Sequence, residues 1–439
     1  MQKRIIRQLL VVAGLLAASP AFAEDLVQVY ELARQNDATY QAAVAEYKAS
    51  SESSSQAWSA VLPQINLQGM HSEYEQDITV GGSPTISDNY DTDTFSITLR
   101  QTLYRQEQFD RISQADAQVA AAEASFNDAG HDLIIRVAQA YFIVLGATDN
   151  LEFAQAEKQA IEQQLVQARE RFKVGLTAIT DVHEAQARYD QAVASEIEAQ
   201  NLLVINKERL QVITNQALLE LAALKEDAPL VSPDPADVNQ WIKTAVENNL
   251  ELIAADKSMQ AARHGLGVAR SGHFPTLDLE ADYTDYESSG GLIGAVEEDG
   301  TRVSLVLNFP LYLGGSVNSA SRQAAATYDQ SRQQYELQRR VTVSGTRNAY
   351  LTVLSTISRV RALKQALVST TTALEATQAG YEVGTRTAVD VLNAQRELFR
   401  AERDYARARY DYYLETLRLK RSAGTLSEAD LKMINAWLE

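Results

Sequence analysis

Three short patterns carry residues of the kind that do chemistry. His183-Glu184 opens as a zinc-protease helix does, with a glutamate beside a first histidine ligand, but residue 187 is Ala, so no second ligand stands one turn on. Gly265-x-Gly267-x-x-Arg270 lacks the third glycine of a dinucleotide loop and follows no strand. The five histidines, His71, His131, His183, His264 and His273, show no ligand spacing. With no cysteine in the chain there is no thiolate metal site, no disulfide and no cysteine nucleophile. A phosphate-binding loop is also missing. These residues point away from an enzyme, and to no cofactor and no metal.

One pattern remains, and it occurs twice. Residues 172–186 read FKVGLTAITDVHEAQ and residues 381–395 read YEVGTRTAVDVLNAQ. An aromatic, Val-Gly, Asp-Val and Ala-Gln stand at matching places. Gly175 and Gly384 each occupy the position of a helix-ending glycine. Thr180 or Asp181, and Thr387 or Asp390, lie at or just inside the start of a returning helix, where an acid suits the helix dipole. Each copy is a helix-turn-helix tip. Read locally, these polar residues are caps. Gathered around a symmetry axis, the same carboxylates would raise one another's pKa and attract cations.

The elements that carry these tips are long. Between Tyr104 and Gly175 there is no proline, and apolar or small residues recur at steps of four and three: Val137, Tyr141, Val144, Thr148, Leu151, then Ile161, Leu165, Ala168, Phe172. That spacing is a coiled-coil-like seam. A helix of about 70 residues reaches roughly 105 Å. Ser316 to Ala379 has the same character, with Tyr350, Val353, Ile357, Val360, Leu367 and Leu374 on one stripe.

Four segments break the helical period. Ile65–Met70, Phe95–Leu103, Leu277–Tyr283 and Val303–Leu311 alternate, and each predicts a strand of about ten residues, the weak signature of a membrane barrel. Gly/Ser/Asp-rich connections, Thr79–Asp93 and Glu287–Thr301, join each pair, and Pro63 and Pro275 stand before the first strand of each. The order helix, strand, loop, strand, very long helix, turn, helix therefore occurs twice, and a duplication is the simplest account. Four strands cannot close a barrel alone, whereas three subunits would contribute twelve.

The expected boundaries are a secretory signal over 1–23, a first repeat over 24–214, a linker over 215–240 that meets a C-terminal segment over 422–439, and a second repeat over 241–421. The signal rests on Lys3, Arg4 and Arg7, an apolar run from Leu9 to Ala18, and Ala21-Phe22-Ala23. No later run is apolar enough for a helical span. The formal net charge is −18, and the expected cleavage removes three cations and no acid. Such a chain is a poor partner for nucleic acid.

With these residues in view, the chain resembles the TolC family of trimeric outer-membrane channels used in export and drug efflux. The resemblance covers essentially the whole mature chain and rests on the duplicated Val-Gly…Asp-Val turns, the segments HFPTLDL and PLYLGGSVN, and the closing GTLSEADL. It implies an α+β membrane protein: a homotrimeric twelve-stranded β-barrel, four strands per chain, continuous with a long periplasmic α-helical barrel. It also implies contact with outer-membrane lipid, a periplasmic adaptor, and an inner-membrane transporter of the ABC, RND or MFS type. Asp390 matches an acidic ring at the family's entrance, and Asn393 stands where close relatives carry a second acid. Tyr381 and Arg386 match residues that bond to the equivalents of Thr180 and Asp181, and Gln164 and Gln378 match a Gln–Glu tie. The rival from residue patterns alone is a periplasmic adaptor with long helical hairpins, which leaves the two strand pairs without a purpose.

Overall fold

The computed structural model describes residues 23–79, 81–82, 84–218, 220–291 and 293–439. All of the expected signal segment except Ala23 lies outside the described residues. The first half runs α1 (Leu26–Asn36), α2 (Ala38–Ser59), β1 (Gln64–Ile78), β2 (Ile86–Arg105), α3 (Gln106–Lys173) and α4 (Ile179–Thr214). The second repeats it with α5 (Val238–Asn248), α6 (Leu250–Ser271), β3 (Thr276–Ser288), β4 (Val296–Asn308), α7 (Ser316–Glu382) and α8 (Ala388–Ser422), and α9 (Glu428–Asn435) follows.

Equivalent caps start equivalent helices. Asp37 accepts the backbone N–H of Tyr40 at 2.7 Å and Asn249 that of Leu252 at 3.0 Å, both buried and both extended at the break between two helices. The halves then diverge. Asp37 binds the Arg136 guanidinium through both oxygens, at 2.8 and 2.9 Å, whereas Asn249 Nδ2 donates to the Ser422 carbonyl at 3.1 Å.

The four strands form one antiparallel sheet in the order β1-β2-β3-β4, so β2 and β3 join the two repeats and β1 and β4 present free edges. Register assigns the faces. Ile65, Leu67, Ile97, Leu99, Leu279, Val303 and Leu305 share one face, with Ile65, Leu67, Val303 and Leu305 63–71% exposed. The other carries Gln64, Asn66, Thr98, Arg100, Glu280, Asp282 and Arg302. Arg100 Nε donates to Glu280 at 3.0 Å, and Arg302 Nε to Asp282 at 2.9 Å. An exposed apolar face backed by a polar, ion-paired one is the pattern of a sheet between lipid and water.

The strands run 13 to 20 residues rather than about ten, and the ladder continues into the segments expected as connections. Beyond His71 and Asp93 one face is wholly polar and the other mixed, so alternation weakens although pairing persists; Tyr74 stacks on Tyr90 with centroids 5.1 Å apart, and Ile78 faces Ile86.

The 68 residues of α3 span about 100 Å. Val137, Tyr141, Val144, Ile161, Leu165 and Ala168 are buried, whereas Thr148 and Phe172, expected on the same stripe, are exposed. The main core lies at mid-height, where α1, α9 and the linker pack on α3, α7 and α8. Tyr141 Oη donates at 2.7 Å to the Ala222 carbonyl, and backbone bonds tie Ala223 to Glu439 and Lys225 to Trp437. Below this girdle α3 lies against α4 and α8, and α8 against α7, a lateral order α4-α3-α8-α7. Core there shrinks to clusters of three buried residues.

Candidate functional site

Both tips close the same way. In the first, Gly175 N–H donates to the Phe172 carbonyl at 3.0 Å and Leu176 N–H to that of Arg171 at 2.8 Å. In the second, Gly384 N–H donates to Tyr381 at 3.1 Å and Thr385 N–H to Gly380 at 2.8 Å. This doubly bonded helix end needs a left-handed residue, and Gly175 and Gly384 supply it with φ of 77° and 79°.

The returning helices start differently. Thr387 caps α8, and Asp390 completes a capping box: its Oδ2 accepts the Thr387 backbone N–H and hydroxyl, each at 2.9 Å. In α4 the equivalent of Thr387 is Ala178, which offers no side-chain cap, and Asp181, the equivalent of Asp390, takes the Thr177 hydroxyl. Thr180 is exposed and makes no cap. The Thr387 backbone bond, then its hydroxyl bond, hold the Asp390 carboxyl below the usual carboxylate range, with a smaller contribution from Arg386. Like-charge repulsion in a ring would act in the opposite direction.

Tyr381 faces the first repeat. The Arg171 guanidinium lies over its ring, 4.5 Å from the centroid, which is a cation–π contact between α7 and α3. Arg386 folds back on its own turn, close enough that a Cβ at Gly380 would lie 2.8 Å from its Cγ. Among the described residues of one chain, no hydrogen bond joins Tyr381 or Arg386 to Thr180 or Asp181, nor Gln164 to Gln378. Gln164, Gln378 and Asn393 are half-buried.

Sequence reasoning missed three features. Val174, Leu176 and Val383 are 70–76% exposed at the tips, and their signal was an apolar residue beside each turn glycine. Arg171 could be found only once the ends of α3 and α7 were brought together at the tip. Higher up, cross-strand pairing brings donor atoms of His71, Glu73 and Asp91 within 4.8 Å of one another, although linear spacing gave no histidine ligand set. All three are exposed, and His71 Nδ1 is bonded to Asp93 at 2.8 Å.

Known proteins share this architecture. The family model described as outer membrane efflux protein matches residues 29–216 and 241–425. The chain is 38% identical over 425 residues to outer membrane protein TolC of Vibrio cholerae serotype O1, covering 96% of this chain and 95% of that one. It is 30% identical to alkaline protease secretion protein AprF of Pseudomonas aeruginosa, covering 96% and 89%. The crystal structure of outer membrane protein VceC from Vibrio cholerae superposes with a TM-score of 0.78 at 19% identity, over 91% of this chain and 96% of that one.

Proposed function

The chain belongs to the outer membrane efflux protein family, and from that premise we propose that it is the outer-membrane exit duct of efflux and type I secretion assemblies, gated at its paired tips. It resides in the outer membrane of a Gram-negative bacterium with a large helical part in the periplasm, and it works as a trimer. The observation that carries this reading is the sheet: two free edges, an exposed apolar face and an ion-paired polar face. Three copies joined edge to edge give twelve strands with lipid outside and water within. The adaptor alternative has no support, since the similarity to outer-membrane proteins covers almost the entire chain.

The tips form the gate. Around a threefold axis, Asp390 becomes a ring of three carboxylates and Asn393 an amide ring one turn away, a weaker trap for multivalent cations than two acidic rings. Tyr381 and Arg386 meet Thr180 and Asp181 of the adjoining subunit, and Gln164 pairs with Gln378. These partly exposed, directional bonds are weak enough to break when a partner docks. The exposed Val174, Leu176 and Val383 offer a periplasmic adaptor its apolar footing. An inner-membrane ABC, RND or MFS transporter supplies energy, because the tips carry no group that uses fuel. Planar-bilayer recording tests the gate: Tyr381→Phe with Arg386→Ser is expected to conduct several-fold more than the low-conducting parent. Equal conductance would place the gate elsewhere.

A further inference from the structure

Between the two hairpins of one chain α8 runs antiparallel against α3, and the contacts from hairpin to hairpin can be followed upward from the tip. Arg171 covers the Tyr381 ring. Leu392 packs with Ile161 of α3 and Ala192 of α4. Arg403 pairs with Glu157 at 3.3 Å, and Tyr410 Oη donates to Asp149 at 2.7 Å. Gln395 lies between the Leu392 and Arg403 contacts, three residues above Leu392 and so on the same helix face. It is 6% exposed, its Oε1 is buried without a hydrogen-bond partner, and its side chain makes no hydrogen bond among the described residues.

That arrangement costs the closed seam. A buried amide acceptor has given up its bond to water and received none in return. Once α8 moves off α3, the carbonyl meets water and the cost disappears. The flanking contacts behave in the reverse way, since opening breaks them. A polar residue in an otherwise matched helical seam also lowers its stability in coiled coils. We propose that Gln395 is a positioning residue of the gate: its unpaired amide weakens the α3–α8 seam just above the tip, so that a modest push from a docked partner opens it. The inference rests on the gate reading above and deepens it.

The test adds Gln395→Met, which keeps length and removes the amide, to the unlocked Tyr381→Phe/Arg386→Ser background. Single-channel recordings are expected to show the closed state of the triple variant gaining about tenfold over the double variant. The detergent-solubilised trimer should melt higher with Gln395→Met alone. Restoring an amide with Gln395→Asn should return the closed-state population towards the parent. If the double variant never conducts more than the parent, the gate reading fails, whatever Gln395 does. If the double variant opens and Gln395→Met leaves its closed fraction unchanged, or lowers the melting temperature, the inference about Gln395 falls and the gate reading stands.

Discussion

Asp390 and Thr387 are bonded three ways: the carboxylate takes the threonine backbone N–H and hydroxyl at 2.9 Å each, and Asp390 N–H returns a bond to the hydroxyl at 3.2 Å. The acid assigned to the entrance ring therefore also begins the helix that must move. The two roles are separable. Asp390→Asn removes the charge, and block of the open channel by a trivalent cation complex added from the tip side should be lost. Thr387→Ala should weaken the first turn of α8 by about 1 kcal/mol while leaving the block in place. Block unaffected by Asp390→Asn would move the cation site off this residue.

The pH dependence has a sign. Bonds from Thr387 depress the Asp390 carboxyl below its ordinary 3.8, so the cap's contribution is present above that value and is lost as pH falls through the lower folded value. Cation block should then persist from neutral pH down to about pH 4, the ordinary carboxylate range. A midpoint near pH 6, read from block against pH, would show that repulsion within the ring outweighs the cap.

Gly175 and Gly384 have open space around the site of a Cβ, so the only penalty for alanine is the left-handed backbone. Gly175→Ala and Gly384→Ala should each cost about 1–2 kcal/mol of tip stability, seen as faster local hydrogen exchange. The melting temperature of the trimer should barely move, because the main core lies far above.

Gly424 is a different case. Its φ is 72°, and a Cβ there would lie 2.1 Å from the Asn248 carbonyl oxygen, at the break between α5 and α6. Gly424→Ala adds a backbone clash to the left-handed strain. It should cost more than the about 1–2 kcal/mol of the tip glycines and reduce recovery of folded trimer, as judged by heat-resistant migration on gels.

Arg302 offers a control far from the tips. It neutralises Asp282 on the polar face of the sheet, at 2.9 Å. Arg302→Gln leaves that carboxylate unpaired in the lumen. Reversal potentials in a salt gradient should shift toward cation selectivity, while trivalent-cation block at the tip stays as in the parent.

By itself the sequence determined the repeated order of elements, the two very long helices and the tip glycines, because each is a local property: helix propensity, period and the need for a left-handed residue. Strand ends were lost where they were because Glu73, Glu75 and Asp77 interleave with Tyr74, Gln76 and only one aliphatic residue, Ile78, too polar a stretch to show alternation, and pairing with β2 holds it extended. The tertiary structure decided which helices adjoin. It set α3 beside α8 and the end of α7 over that of α3, which made Arg171 the partner of Tyr381 and buried Gln395 without one, and it left Thr180 and Asp181 on the outer flank. That Asp390 is boxed while its equivalent Asp181 is not is again local, since it rests on Thr387 against Ala178 at the cap. Local periodicity specifies the face a helix must bury. It does not specify the neighbour, because many apolar stripes fit one seam and only packing of the whole chain selects among them.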